Sequence, residues 1–335
     1  MSGVAARPRT PVTDALRAVQ APVHERLEQV LGEMERIVSS DLPMVEQVSG
    51  HLLRMRGKMF RPTLTLLASD LEGESEPRAV TLAAVIELMH LATLVHDDSV
   101  DHSATRRGLP TVNSMFSHQV SVIMGDFLYS RALRALVGIR DLDVLRVVTD
   151  VSSELSMGEM RQLAAIDALS FGEREYELLI RAKTASLLSA ACESGALCGA
   201  ARHRAPLARF GDRLGMAFQV IDDILDYTED ESVTGKPWGN DLREHKVTLP
   251  LIGALPAMSP AARRQVDALF GDDQPHDDAI QNVIRIVGEA GGIDYARRSS
   301  ERYAQEAEDA LASVPPSPAS GALLDALAYV TDRRW

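Results

Sequence analysis

The chain has 335 residues, of which 45% are hydrophobic, 25% charged and 4% aromatic, enough apolar content for one large core and too much for wholesale disorder. The formal charge is −13 with no Lys/Arg-rich run, which argues against a nucleic-acid binder, since that class needs a concentrated basic footprint. Two cysteines, Cys192 and Cys198, are too few for a disulfide framework or a zinc site and read as small core residues in a reducing compartment.

Residues 1–13 hold no apolar stretch of the kind a secretory signal needs and are expected to be mobile, with the cytoplasm the expected location. From residue 14 to 335 the chain reads as a single all-α domain. Leu52, Leu64 and Leu67, then Leu82, Val85, Ile86, Met89 and Thr93, recur at the three- and four-residue spacing of a helix. Alternating strand patterns bounded by hairpin turns are absent. Helix stops fall at Gly73, Gly108-Leu109-Pro110, Gly172, Gly235-Lys236-Pro237, Gly271 to Pro275 and Val314 to Pro318. Ten to thirteen helices fit between these marks, the last over 322–333 behind a hinge at 313–321. The uncharged run 247–262 is broken by Pro250, Pro256 and Pro260 and is short of the ~18 apolar residues of a membrane span. No transmembrane segment is predicted, and association with a membrane surface is left open.

Two acidic clusters share one spacing, Asp97-Asp98-x-x-Asp101 and Asp222-Asp223-x-x-Asp226, and each follows an apolar helical run. On a helix, i and i+4 share a face, so Asp97 converges with Asp101 and Asp222 with Asp226. A lone acidic triplet is usually a solvated helix end, as the Pro-broken loop Asp272 to Asp278 illustrates. Duplication beside two apolar approaches is different: charges near a core need a partner. Hard oxygen donors suit Mg²⁺, which takes one or two carboxylates together with phosphate oxygens. Basic motifs accompany the clusters: Gly57-Lys58-Met59-Phe60-Arg61-Pro62, Arg106-Arg107-Gly108, Lys183-Thr184, and Gly235-Lys236-Pro237 leading to Lys246. Any one of these would ordinarily pair with surface carboxylates. Together with two acidic clusters they predict a site for a diphosphate.

These segments resemble the trans-isoprenyl diphosphate synthases, or polyprenyl synthetases. GKMFRP, HLATLVHDDSVD, RRG, GDFLYSRA, KT, FQVIDDILD, GKPWGNDLREHK and TLPL stand in that family's order over about residues 50–255. The resemblance implies an all-α bundle around a central cavity, a homodimer, and condensation of isopentenyl diphosphate with an allylic prenyl diphosphate. It assigns three Mg²⁺ ions to Asp97, Asp98, Asp101, Asp222 and Asp223, with Asp226 completing the second motif. By the same likeness Arg106, Lys183, Lys236 and Lys246 hold the allylic diphosphate. Lys58, Arg61, His90 and Arg107 hold isopentenyl diphosphate, and Thr184 and Gln219 stabilise the carbocation. None of these positions departs from the family pattern.

Ala92 and Thr93 lie about one turn before Asp97, ~6–8 Å deeper along the helix, where short-chain members of the family carry an aromatic stop. Both are small, so a growing tail is expected to pass, unless they serve only close helix packing. Met89, two turns down, is flexible enough either to floor the tunnel or to bend aside. The surrounding text most resembles the long-chain synthases, so a hexaprenyl-to-nonaprenyl product is expected, with geranylgeranyl or farnesyl the alternative. A class I terpene cyclase would lack the isopentenyl pocket and carry a different second metal motif. A non-catalytic synthase subunit would typically lose the aspartate motifs, and both are complete. A di-iron bundle would need a second Glu-x-x-His beside Glu87 to His90, and the chain has none.

Overall fold

The computed structural model describes residues 12–55, 57–73, 76–164, 168–228 and 239–332. Four helices, α1 (Val12–Gln20), α2 (His24–Val38), α3 (Pro43–Arg54) and α4 (Phe60–Ser69), lead into α5 (Arg78–Val100), which contains the Leu82-to-Thr93 repeat. α5 is apolar on every face for most of its length, so no side of it can be left in water. Leu82, Val85, Ile86 and Leu88 are fully buried, each contributing ~1.5–3 kcal/mol relative to exposure. By length and mean hydropathy (1.7) α5 could cross a membrane, but 67% of that apolar window is buried within the protein. It is a core helix, packed by α2, by α4 and by α7 (His118–Gly138).

α5 ends where the Asp101 N–H meets the Asp97 carbonyl at 2.8 Å and the Ser103 N–H meets the Asp98 carbonyl at 3.0 Å. Two short strands follow, β1 (Thr105–Arg106) and β2 (Leu109–Pro110), paired antiparallel. They are the only strands among the described residues and correct the expectation of none. The cause is the two-residue loop Arg107-Gly108, with φ +53° and +73°. Positive φ at both central residues matches the twist of a tight hairpin, and glycine takes it without strain.

After α6 (Val112–Met115) and α7 come α8 (Leu142–Ala164) and α9 (Glu173–Ile180), then a π-helical turn, Arg181–Ala185, that runs into α10 (Ser186–Leu197). α10 packs against α4, α5, α8 and α11 (Arg204–Thr228), and so touches both helices that carry the aspartate clusters. A Cβ on Gly215 would lie 2.4 Å from the Ala185 Cα; glycine therefore lets α11 rest directly against the π turn. α12 (Asn240–Arg243), α13 (Leu249–Ala254), α14 (Pro260–Phe270), α15 (Asp277–Glu289) and α16 (Gly292–Leu311) complete the bundle before α17 (Pro318–Thr331). A smaller apolar cluster of Leu242, Leu251, Val266, Ile280 and Val287 holds α12 to α15. α16 lies along α11, and α17 returns to α1 and α4.

The described residues thus form seventeen α-helical segments, more than the ten to thirteen expected. The excess comes from three helices of four to six residues and from the π turn between α9 and α10, which no glycine or proline announces. α17 begins at Pro318 rather than 322 because Ser317 caps it: the Ser320 N–H donates to the Ser317 hydroxyl at 3.1 Å, and the Ser317 N–H to the Ser320 hydroxyl at 2.7 Å. Proline at the first helical position starts this helix instead of blocking it. At the other end, α1 begins at Val12, within the stretch expected to be mobile.

Candidate active site

Asp97, Asp98 and Asp101 occupy the carboxyl end of α5, and Asp222, Asp223 and Asp226 the last two turns of α11. The π turn joins the two clusters through adjacent residues, the wider π register being a common device at functional sites. Lys183 lies close enough to Asp97 to act on its protonation, and its Nζ donates to Gln162 Oε1 at 2.7 Å and pairs with Glu159 Oε1 at 2.8 Å, both on α8. Thr184 serves the other cluster. Its hydroxyl donates to Gln219 Oε1 at 2.8 Å, Gln219 Nε2 donates to Asp223 Oδ1 at 2.9 Å, and the Tyr176 hydroxyl donates to Asp223 Oδ2 at 2.5 Å.

A second bridge passes through Lys246. Burial works against its charge, but Glu244, at 2.5 Å, with Asp241 and Asp101 outweighs that and raises its pKa. Asp226 accepts the Asn240 and Asp241 backbone N–H groups at 3.0 and 2.9 Å. It thereby holds the start of α12 and keeps Asp241 near the second cluster.

The electrostatics share one cause. Burial, then Glu159 and Asp101, lift the Asp97 carboxyl to about 6 against Lys183 and Arg106. Burial raises Asp98, opposed by the Arg106 Nε at 2.8 Å. Burial and Asp241 push Asp223 well above the ordinary carboxylate range despite its hydrogen bonds. Burial is the leading cause at all three carboxyls, and a bound cation would offset it. Among the described residues no three His, Cys, Asp or Glu side chains form a ready-made cage. The donors come as oxygen pairs on two helices, and that fits Mg²⁺, which completes its shell with water and phosphate.

The remaining basic residues gather beside the middle of α5, around Glu87 and His90. Arg107 Nη1 donates to the Met55 carbonyl at 2.7 Å, and Lys58 Nζ donates to the Tyr329 hydroxyl at 2.9 Å. Burial, with Arg61, Arg107 and Arg106 nearby, holds the His90 pKa well below its ordinary value, so the ring is neutral at pH 7. Arg61 Nε is enclosed without a hydrogen-bond partner, a donor that an anion would satisfy. Met89 and Ala92 are 1% and 2% exposed, and the half-buried Thr93 donates its hydroxyl to the His90 carbonyl at 2.8 Å. Lys236 lies outside the described residues.

Sequence reasoning missed Tyr176, Glu159, Gln162, Tyr329 and Glu87. Glu87 is buried beside Arg61 and Arg107, and its pKa is raised by burial against their pull. Tyr176 had a signal, since it precedes Lys183 by seven residues, two turns of one helical run. Glu159 and Gln162 carried only an i, i+3 spacing.

Aspartates at the carboxyl ends of α5 and α11 and basic residues beside α5, in a bundle with almost no strand among the described residues, define an isoprenoid-synthase-type enzyme. The family model for polyprenyl synthetase matches residues 42–287, and the chain belongs to that family. It is 38% identical over 325 residues to the all-trans-nonaprenyl-diphosphate synthase (geranyl-diphosphate specific) of Rhodobacter capsulatus, covering 96% of this chain and 98% of that one. Among solved structures it resembles a decaprenyl diphosphate synthase from Rhodobacter capsulatus, with a TM-score of 0.90, 34% identity, and 96% and 99% of the two chains covered. A polyprenyl synthase from Caulobacter crescentus, complexed with calcium and isoprenyl diphosphate, matches with a TM-score of 0.90 and 31% identity over 98% and 100% of the chains.

Proposed function

We propose that the protein is a trans-prenyltransferase that joins isopentenyl diphosphate to an allylic prenyl diphosphate in the 1′-4 sense, releases diphosphate, and delivers a product of hexaprenyl to nonaprenyl length. The observation that carries this reading is the reach of consecutive residues, Lys183 to the first aspartate cluster and Thr184 through Gln219 to the second. Mg²⁺, by family likeness three ions, would be held by Asp97, Asp98, Asp101, Asp222 and Asp223, with Asp226 at the edge of the set, and when bound would neutralise charge developing on the leaving diphosphate.

Lys183, Lys246 and Arg106 add fixed positive charge on the same side, and Lys236 belongs with them by sequence. As the allylic C–O bond ionises, Thr184 and Gln219 offer oxygen dipoles to the cation. The Gln219 amide is bonded at both ends, so it is already oriented when charge appears. Lys58, Arg61 and Arg107 hold the second diphosphate, and the neutral His90 adds a hydrogen-bonding group without adding charge. That placement brings the isopentenyl double bond to the cation. The proton then leaves to the released diphosphate, so no side-chain nucleophile is required.

Small Ala92 and Thr93 and the nonaprenyl-forming relative support the long product. A homodimer in the cytoplasm completes the reading. Exposed Met115, Val122 and Ile123 on α6 and α7 supply an apolar surface for a second copy. The test is purified protein with Mg²⁺, isopentenyl diphosphate and each allylic primer in turn, with products sized by chromatography. Mostly farnesyl diphosphate would reject the product length; substantial turnover by Asp97→Ala or Asp222→Ala would reject the site.

A further inference from the structure

We propose that Tyr176 is a positioning residue for the second aspartate cluster, its hydroxyl locking the Asp223 carboxylate in the orientation that receives a divalent cation. The inference rests on the reading of Asp223 as a metal ligand. Asp223 is 4% exposed, and each of its oxygens accepts from a neutral donor, Oδ2 from Tyr176 at 2.5 Å and Oδ1 from Gln219 at 2.9 Å. A lysine or arginine in either place would cancel the charge a cation needs. Neutral donors fix the direction of the carboxylate and leave its charge, and each oxygen keeps a further lone pair for an ion. Outer partners of this kind orient the ligands they touch.

Tyr176 cannot drift. Its ring is 2% exposed, and α16 braces the turn of α9 that carries it. Tyr295 donates its hydroxyl to Glu173 Oε2 at 2.5 Å, and Tyr303 donates to Glu177 Oε1. These contacts flank Tyr176 in sequence, and neither touches Asp223. One run of bonds therefore passes from Thr184 through Gln219 and Asp223 to Tyr176, tying the group that faces the electrophile to the group that faces the metal.

The experiment measures Mn²⁺ binding by electron paramagnetic resonance on the full-length protein in the presence of methylene bisphosphonate. Wild type is compared with Tyr176→Phe, Asp223→Asn, the double variant and Tyr303→Phe. Phenylalanine fills the same space, and metal-free thermal melts report its folding. Tyr176→Phe is expected to weaken Mn²⁺ binding about 10-fold or more while leaving the KM for isopentenyl diphosphate unchanged. The double variant should bind no more weakly than Asp223→Asn, because both changes act at one carboxylate. Tyr303→Phe, which removes a similar bond from the same helix, should bind as wild type. Wild-type affinity in Tyr176→Phe with loss in Asp223→Asn overturns the role of Tyr176 alone. Additive losses in the double variant, or equal loss in Tyr303→Phe, reduce that role to general support of the fold and overturn it too. Unchanged binding in Asp223→Asn overturns the metal reading of that residue and the inference with it.

Discussion

Replacing Asp97 by asparagine is expected to make the metal-free protein more stable while abolishing turnover. Burial, with Glu159 and Asp101 alongside, lifts this carboxyl from its ordinary 3.8 to about 6, and Lys183 and Arg106 offset only part of the effect. At 1.36 kcal/mol per pH unit, the folded state disfavours the charged form by about 3 kcal/mol. Asp97 retains some contact with solvent, and screening reduces the expected effect to about 1–2 kcal/mol. The folded pKa is raised, so the penalty is absent below the unfolded value, grows through the interval between the two, and is complete above about 6. Asparagine mimics the neutral form at every pH. Urea unfolding in EDTA should therefore show the variant more stable by about 1–2 kcal/mol at pH 7.5, with the advantage shrinking to about a third of that at pH 4.5. A variant no more stable than wild type at pH 7.5, or an advantage equal at both pH values, would refute the reasoning.

Gly57→Ala places a Cβ 2.7 Å from Arg107 Nη2; displacing that guanidinium should raise the KM for isopentenyl diphosphate about 10-fold with little change in kcat, as steady-state kinetics will show. Tyr329→Phe removes the hydroxyl 2.9 Å from Lys58 Nζ but keeps the ring 5.6 Å from it. A rise of about 3- to 10-fold in the same KM is expected, and an unaltered KM would remove Tyr329 from the pocket. Ala92→Phe puts an aromatic ring at a position 2% exposed, one turn below Asp97, and should shift the product toward farnesyl or geranylgeranyl length on chromatography. EDTA should stop turnover and excess Mg²⁺ restore it; full activity in EDTA would remove the metal from the mechanism.

The helical architecture and both aspartate clusters were legible because each is written in local spacing: i, i+4 aspartates behind an apolar run state their own geometry. The hairpin at Arg107-Gly108 was concealed, since two-residue strands have no room for an alternating pattern. The π turn was concealed for another reason, because its register change is imposed by packing against α8 and α11 rather than by a helix-breaking residue. Tyr176 and Asp223 are separated by 47 residues, and Lys58 and Tyr329 by 271. Such pairs leave no trace in periodicity, and a tyrosine in a helix reads as core until its hydroxyl is seen to have a partner. The start of α17 was legible in principle, since serine followed by proline is a strong opening for a helix, but the preceding prolines made the stretch look like a hinge.

The first and last described helices meet at Lys58. Its carbonyl accepts the Gln20 side chain from α1 at 2.8 Å, and its ammonium reaches Tyr329 near the end of α17. Most of the described bundle can therefore be synthesised before this lysine acquires its last neighbour, and a nascent chain emerging from the ribosome leaves the Lys58 ammonium without Tyr329 until α17 has been made.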